Sequence, residues 1–206
     1  MAYPTTVMKL IHELMKLPGV GSRTADRLAF HLLRTSEADA LALARAIAEL
    51  RARVRYCSEC FNVAESDPCE VCGDATRDRT RLLVVEHPKD LLAFERTGYR
   101  GRYHVLHGRL SPMEGMDASH ITLPELINRV RDGSIREVIL ATNPDLEGDG
   151  TALTIVEQLR GSQARVTRLA RGVPSGSSIE YASTAVLADA LHGRIEMNSK
   201  MAEDDA

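Results

Sequence analysis

All four cysteines of the chain lie in one short segment, CSECFNVAESDPCEVCG. They form two C-x-x-C pairs, Cys57 with Cys60 and Cys69 with Cys72, and eight residues separate the pairs. Each pair can place two thiolates on one cation, and four sulfur ligands suit the closed tetrahedral geometry of structural Zn²⁺. Because so short a segment cannot build a core, the metal itself would stabilise its fold. The spacing therefore predicts one structural zinc per chain, in a small element over residues 56–79.

Two disulfides, or a redox-active cysteine pair, are the alternative interpretations of this segment. The N-terminal stretch MAYPTTVMKLIHELMK lacks the order of basic, apolar and small residues that marks a secretory signal, and no run of about 18 apolar residues could span a membrane. We therefore expect a cytoplasmic protein without membrane contact, a setting in which structural disulfides are rare. A thioredoxin-like site needs a single C-x-x-C, whereas this chain has two. Both considerations favour zinc.

Residues 1–55 have the pattern of helices, and the glycine turn LPGVG interrupts them. Glycine permits the unusual dihedral angles of a tight turn, and Ser22 is predicted to cap the helix that follows. A glycine turn that opens a helix exposes backbone N–H groups beside the positive end of the helix dipole, where a phosphate can bind. Arg23, Arg27 and Arg34 fall within roughly 20° of one line along this helix, at about 100° per residue, so they would flank the phosphate.

This arrangement resembles the helix-hairpin-helix modules that bind DNA without reading its sequence. A plain packing unit of two helices is the alternative. The charge distribution favours nucleic acid, since residues 1–56 carry nine Lys and Arg against five Asp and Glu, while the whole chain has a net charge of −3. The candidate DNA-contacting residues are Lys16, Gly19, Gly21, Arg23 and Arg27. The helix after the turn is predicted to bury Ala25, Leu28, Ala29, Leu32 and Leu33.

The remainder of the chain alternates apolar strands with helices. Strands that are apolar throughout and separated by helices predict a mostly parallel sheet with helices on both faces. In such sheets, ligands bind at the carboxyl ends of the strands. We predict strands at 81–86, 102–108, 136–142 and 164–170, and helices at 88–98, 123–133, 152–161 and about 180–193.

Acidic side chains follow two of these strands. Glu86 ends the first strand, and the loop NPDLEGDG, which contains Asp145 and Glu147, follows the third. This layout resembles the Toprim domain, whose carboxylates hold Mg²⁺ for phosphoryl chemistry in its catalytic members. Here Asn143 stands at the first position of the loop, and loss of that negative charge weakens metal binding. A partner-binding surface is therefore favoured over the alternative, a Mg²⁺-dependent nuclease or primase-like enzyme.

The order of these segments, over roughly residues 9–195, resembles the RecR family of bacterial recombination mediators. The matching segments are LPGVGSRTADRLAFHLL, CSECFNVAESDPCEVCG, LLVVEHPKDLLAFERTGYRGRYHVLHGRLSPMEG, EVILATNPDLEGDGTA and VTRLARGVPSGSSIEY. The resemblance implies a non-enzymatic DNA-repair factor that works with RecO, and in some settings with RecF. Such a factor helps to place RecA on single-stranded DNA coated by single-strand-binding protein, at the bacterial nucleoid. It also implies ring-like tetramers built from dimers.

The resemblance also implies roles for particular residues and a division of the chain into domains. It implies that the four cysteines bind zinc, that Arg23 and Arg27 contact single- or double-stranded DNA, and that the acids of the Toprim sheet contact RecO. These Toprim acids are Glu86, Asp90, Asp145 and Glu147. The chain departs from the family pattern at 148–150 (Gly-Asp-Gly) and at Ser183. The predicted fold class is multi-domain α and α/β, with a helical hairpin domain (1–55), a zinc finger (56–79), a Toprim domain (80–172), and a C-terminal arm with a disordered tail (173–206).

Overall fold

The computed structural model describes residues 3–195, and the chain divides after Arg55 into two compact units. The polar stretch 197–206, predicted to be a disordered tail, lies outside the described residues. No helix in the described part of the chain is long and apolar enough to cross a membrane.

The first unit consists of three helices around a small core. Ile11 of the first helix packs against Ala25 and Ala29 of the second. Small side chains at the contact let the two helices approach closely, whereas the third helix has no buried residue. The helices are α1 (Thr5–Met15), α2 (Ser22–Arg34) and α3 (Glu37–Arg53). The predicted all-helical character of this segment is confirmed.

Two details predicted for the second helix are wrong. Gly21, rather than Ser22, precedes α2 as its N-cap residue, so no side chain caps the helix. Leu33 was expected to be buried, but its side chain is 68% exposed because it lines a groove that opens to solvent. Helical periodicity identifies an apolar face but does not show whether the same chain covers it.

The second unit begins with the cysteine segment, which has little regular structure. Two short strands, β1 (Arg55–Tyr56) and β2 (Val63–Ala64), pair with each other, and one helical turn, α4 (Glu70–Gly73), follows. The four cysteines are the buried centre of this element, with Ala64 and Val71 packed beside them. A core of four sulfur atoms is what a metal-stabilised element needs.

A four-stranded parallel sheet follows, with strand order β4-β3-β5-β6. Val85 pairs with Val105 on one side and with Ala141 on the other. The carboxyl ends of the three neighbouring strands are therefore level, and the loops that leave them meet at one edge of the sheet. The strands are β3 (Asp78–Val85), β4 (Gly101–Val105), β5 (Glu137–Ala141) and β6 (Arg165–Arg168). The helices are α5 (Pro88–Glu95), α6 (Leu123–Arg131), α7 (Leu146–Gln158) and α8 (Thr184–His192).

Both faces of this sheet are covered, as its apolar strands predict. Successive side chains of a strand point to opposite faces. Leu82 and Val84 of β3 belong to a core cluster that includes residues of α6 and α7. Leu83 and Val85 belong to a second cluster, which contains Leu91 of α5. The predicted α/β class is confirmed, and the sheet is parallel throughout.

Two helices begin at residues other than those predicted. The helix predicted at 152–161 begins at Leu146, because the Asp145 carboxylate caps it by accepting a hydrogen bond from the Gly148 N–H (2.8 Å). The helix predicted to begin near Glu180 begins at Thr184, after a 3₁₀ turn at Ile179–Tyr181. Further 3₁₀ turns lie at Pro112–Glu114 and Ala118–His120.

Candidate functional sites

The four cysteine sulfurs form a compact, buried group. Their Sγ atoms all lie within 4.8 Å of one another, and the Sγ atoms of Cys60 and Cys69 are 3.5 Å apart. That distance is far longer than the S–S bond of about 2.05 Å in a disulfide. Four sulfurs placed tetrahedrally at about 2.3 Å from one Zn²⁺ would lie roughly 3.8 Å apart. The donor set and its spacing therefore suit a structural zinc ion with no open ligand position.

Backbone and side-chain hydrogen bonds shape the two cysteine-bearing turns. The Cys57 N–H donates to the Asn62 carbonyl (2.8 Å), and the Cys69 N–H points at the Cys57 sulfur (3.4 Å). Asp67 joins the two turns, since its Oδ1 accepts from the N–H and hydroxyl of Ser58 at 2.8 and 2.9 Å. The hydrogen bond from Cys60 lowers the pKa of the Cys69 thiol. The same hydrogen bond raises the pKa of the Cys60 thiol, so it links the two sulfurs without favouring the thiolate at both.

The cysteine element is attached to the edge of the parallel sheet. The Val105 N–H of β4 donates to the Cys60 carbonyl (2.8 Å). The buried Arg102 guanidinium pairs with the Glu59 carboxylate (2.7 Å). Arg129 of α6 donates to the Glu59 carbonyl at 2.9 Å. Since β4 is the edge strand of the sheet, the element covers an edge that would otherwise be open.

The hairpin presents the predicted DNA-contacting residues to solvent. Gly19 has a φ of +77°, a left-handed conformation that glycine adopts without strain. Arg23 and Arg27 are exposed, and neither guanidinium has an ion pair or hydrogen bond among residues 3–195. Lys16 differs, because its ammonium pairs with the exposed Glu13 carboxylate at 2.7 Å. The start of α2 therefore combines uncapped N–H groups with two free cations.

Glu86 is buried at the carboxyl end of β3, with an exposed fraction of 1%. Its two carboxylate oxygens accept hydrogen bonds from the backbone N–H of Asn143 (2.8 Å) and from the side-chain amide of Asn143 (2.6 Å). An aspartate at position 143 could not donate the second bond. Asn143 therefore has a structural role, because it donates a hydrogen bond to each oxygen of the buried Glu86 carboxylate.

Asp145 and Glu147 share a cation that the sequence pattern did not single out. The Arg109 guanidinium, on the loop after β4, lies 2.6 Å from Asp145 Oδ2 and 2.6 Å from Glu147 Oε2. The Ser111 hydroxyl donates to the second oxygen of Glu147. One sequence feature points weakly to this contact. Arg109 follows a predicted strand whose carboxyl end lies at the same edge of the sheet as Asp145 and Glu147.

The other acids of this region belong to separate arrangements. Asp90 lies in the first turn of α5 and accepts a hydrogen bond from the His87 N–H (2.9 Å), which closes a capping box. Asp149 pairs with Arg168 and Arg171. The hydrogen bond from Arg171 holds the pKa of the Asp149 carboxyl below its usual value. The hydrogen bond of Asp90 is therefore made within its own helix start, separately from those of Glu86, Asp145 and Glu147.

The described residues contain one group of side chains placed to ligate a metal. Across residues 3–195, the four cysteines are the only set of three or more His, Cys, Asp or Glu ligand atoms within 4.8 Å of one another. The carboxylates at the end of the sheet contact amide, guanidinium and hydroxyl donors instead.

Three sequence families match successive parts of the chain. The RecR helix-hairpin-helix matches residues 7–51, the RecR Cys₄ zinc-finger domain matches 54–74, and the Toprim domain matches 80–170. Together these matches cover the glycine hairpin, the cysteine element and the parallel sheet, and they support a structural zinc ion at the cysteines.

Curated relatives match over nearly the whole chain. A "Recombination protein RecR" of Rhodopirellula baltica is 51% identical over 91% of this chain and 95% of its own length. The protein of the same name from Staphylococcus saprophyticus is 46% identical over 96% of this chain and 100% of its own. That of Roseiflexus castenholzii is 50% identical over 94% of this chain and 95% of its own.

Proposed function

Because this chain belongs to the RecR family of recombination proteins, we propose that it acts as a recombination mediator in DNA repair. In this proposal it binds DNA without sequence specificity and works with RecO, and in some settings with RecF. Together they load RecA on single-stranded DNA coated by single-strand-binding protein, at the nucleoid in the bacterial cytoplasm. The near full-length identity to proteins named for recombination carries the proposal.

DNA contact is proposed at the glycine hairpin of the first unit. The turn leaves the first N–H groups of α2 without a side-chain cap, and the exposed Arg23 and Arg27 have no carboxylate partner among residues 3–195. Unpaired guanidinium groups beside a helix N-terminus suit phosphate oxygens, which every DNA sequence offers. Lys16 contributes less in this scheme, because Glu13 already neutralises it.

The solvent-accessible Toprim acids, Asp145 and Glu147, are proposed to serve as a surface for RecO rather than as a catalytic centre, whereas Glu86 is buried and is proposed to position the loop that carries them. Two observations support this. Asn143 occupies both oxygens of Glu86, and Arg109 bridges Asp145 and Glu147. A Mg²⁺ ion that assists phosphoryl transfer needs carboxylate oxygens free for coordination. We therefore propose no Mg²⁺ at these acids and no nuclease or primase activity that depends on it.

A nicking and priming assay separates the mediator from the enzyme. With Mg²⁺ or Mn²⁺, we expect the purified chain to leave supercoiled DNA intact and to synthesise no primers. The variants Glu86→Ala and Glu147→Ala should give the same background as the wild type. Cleavage or synthesis by the wild-type chain that both substitutions abolish would contradict the proposal in favour of a metal-dependent Toprim enzyme.

Self-association is proposed through the helical unit. An apolar groove with a volume of about 520 Å³ opens on this unit, lined by residues of all three helices. Leu43 and Ile47 of α3 are 47% and 58% exposed, and Leu33 of α2 is 68% exposed. Contiguous exposed apolar surface of this kind marks a protein interface. A second copy of the chain that buries it would give the dimer from which a tetrameric ring is built.

The double substitution Leu43→Glu/Ile47→Glu is expected to shift the protein to a smaller species, because two carboxylates cannot be buried in an apolar contact. Light scattering coupled to gel filtration measures the change. Arg45→Gln, which alters charge on the same helix between these residues, should keep the wild-type mass. A wild-type chain that is monomeric at tens of micromolar, or a double variant with unchanged mass, would rule out this surface.

A further inference from the structure

Every carboxylate oxygen of the acid cluster formed by Glu86, Asp145 and Glu147 already accepts a hydrogen bond or an ion pair. Both oxygens of Glu86 accept from Asn143. This buried carboxylate is therefore satisfied by neutral amide donors and needs no cation.

The carboxylates of the exposed Asp145 and the half-buried Glu147 are occupied in the same way. Asp145 Oδ1 accepts from the Gly148 N–H, and its Oδ2 pairs with Arg109. Glu147 Oε1 accepts from Ser111, and its Oε2 pairs with Arg109. A divalent cation that used these oxygens would first have to displace a guanidinium and at least one further donor.

Arg109 is held in this position by its own loop. The Gly108 N–H donates to the Glu86 carbonyl (3.1 Å), and the Leu110 N–H donates to the Thr151 hydroxyl of α7 (2.9 Å). The residues on both sides of Arg109 are thus tied to the elements that carry the acids. These backbone ties fix the position from which the Arg109 side chain reaches both carboxylates.

We propose that Arg109 is the resident cation of this acid cluster. Its guanidinium spans Asp145 and Glu147, fixes their separation and excludes divalent metal from them. The cluster is therefore a preformed and metal-independent surface, with a net negative charge left to attract a basic partner. The use of this surface by a partner rests on the proposed function, whereas the exclusion of metal is a property of the chain alone.

Removal of Arg109 should uncover a cation site. The zinc-loaded protein would be titrated with Mn²⁺, and binding followed by the loss of the free-ion electron paramagnetic resonance signal. We expect Arg109→Ala to bind Mn²⁺ at least about tenfold more tightly than the wild type, because two carboxylates lose their counter-charge. Arg109→Gln should behave similarly, and the added substitution Glu147→Gln should return Arg109→Ala to the wild-type level.

Two results would overturn the proposal. In the first, Arg109→Ala and Arg109→Gln are folded by circular dichroism yet bind Mn²⁺ no better than the wild type. In the second, the wild-type protein already binds Mn²⁺ as tightly as the two variants do. RecO binding by the wild type, measured with Mg²⁺ and with EDTA, gives a separate readout. Equal affinities are expected. Absence of any RecO binding would contradict the proposed partner surface while leaving the Mn²⁺ result to decide the role of Arg109.

Discussion

Replacement of Cys60 by serine is expected to abolish zinc binding and to lower the free energy of unfolding by roughly 4 kcal/mol or more. The cysteine element has no apolar core beyond its four sulfurs and two small neighbours, so loss of one ligand releases the whole element. The Cys60 carbonyl also accepts from Val105 of the edge strand β4, and the damage should therefore spread to the sheet. We expect the melting temperature to fall by about 10 °C.

Metal analysis and thermal unfolding of the same preparations measure this effect. Glu70→Gln, in the same element but exposed, should retain one zinc per chain and the wild-type melting temperature. EDTA treatment of the wild type should reproduce the loss seen in Cys60→Ser. A wild-type chain purified under metal-replete conditions with no zinc, or a Cys60→Ser variant that melts like the wild type, would contradict a structural zinc.

The elements that could be predicted from the sequence are those fixed by local pattern. Two C-x-x-C pairs place four thiolates together whatever surrounds them, and continuous apolar runs such as LLVV must lie within a covered sheet. The glycine turn at residue 19 requires a left-handed conformation, which the structure has. In each case the physical requirement is contained within a few consecutive residues.

The start of α7 shows why a local pattern can mislead. Two glycines at 148 and 150 favour a loop by their conformational freedom, and the helix was predicted to begin after them. In the structure Gly148 is helical, and its lack of a side chain is needed because a Cβ would lie 2.1 Å from the Asn143 carbonyl oxygen. Close packing against Glu86 and Asn143, rather than flexibility, accounts for this glycine.

The contacts of Arg109 could not be predicted from the sequence. Its ion pairs join residues 36 and 38 positions apart, and the strand order β4-β3-β5-β6 that brings them together is not encoded in local periodicity. Ser183 is a further case. It departs from the family pattern, yet its hydroxyl accepts from the Val186 N–H and caps α8, which supplies a local reason for a serine at this position.

The double charge reversal Arg23→Glu/Arg27→Glu is expected to weaken DNA binding at least about tenfold at low salt. Two guanidinium groups that meet phosphates are replaced by carboxylates that repel them. The slope of log affinity against log salt should also fall by about 2 for each hairpin in contact with DNA. Fluorescence anisotropy with single- and double-stranded oligonucleotides over a salt series measures both quantities, and the loss should not depend on sequence.

Arg45→Glu/Arg51→Glu is the matched control for this variant, because it makes the same change in net charge on α3 of the same unit. If the hairpin makes the contact with DNA, this control should reduce the affinity for DNA much less and should change its salt dependence less. Equal losses of DNA affinity in the two variants would indicate a diffuse electrostatic attraction rather than a phosphate-binding site at the start of α2.

The loading of RecA on single-stranded DNA coated by single-strand-binding protein tests the proposed mediator function most directly. RecA filament formation would be followed in the presence of RecO, with the wild-type chain, with Arg23→Glu/Arg27→Glu, and with no added chain. The wild type should shorten the delay before filaments form, and the double variant should leave it close to that without added chain. A wild-type chain that does not shorten the delay, or a double variant as effective as the wild type, would contradict a mediator that acts through the hairpin.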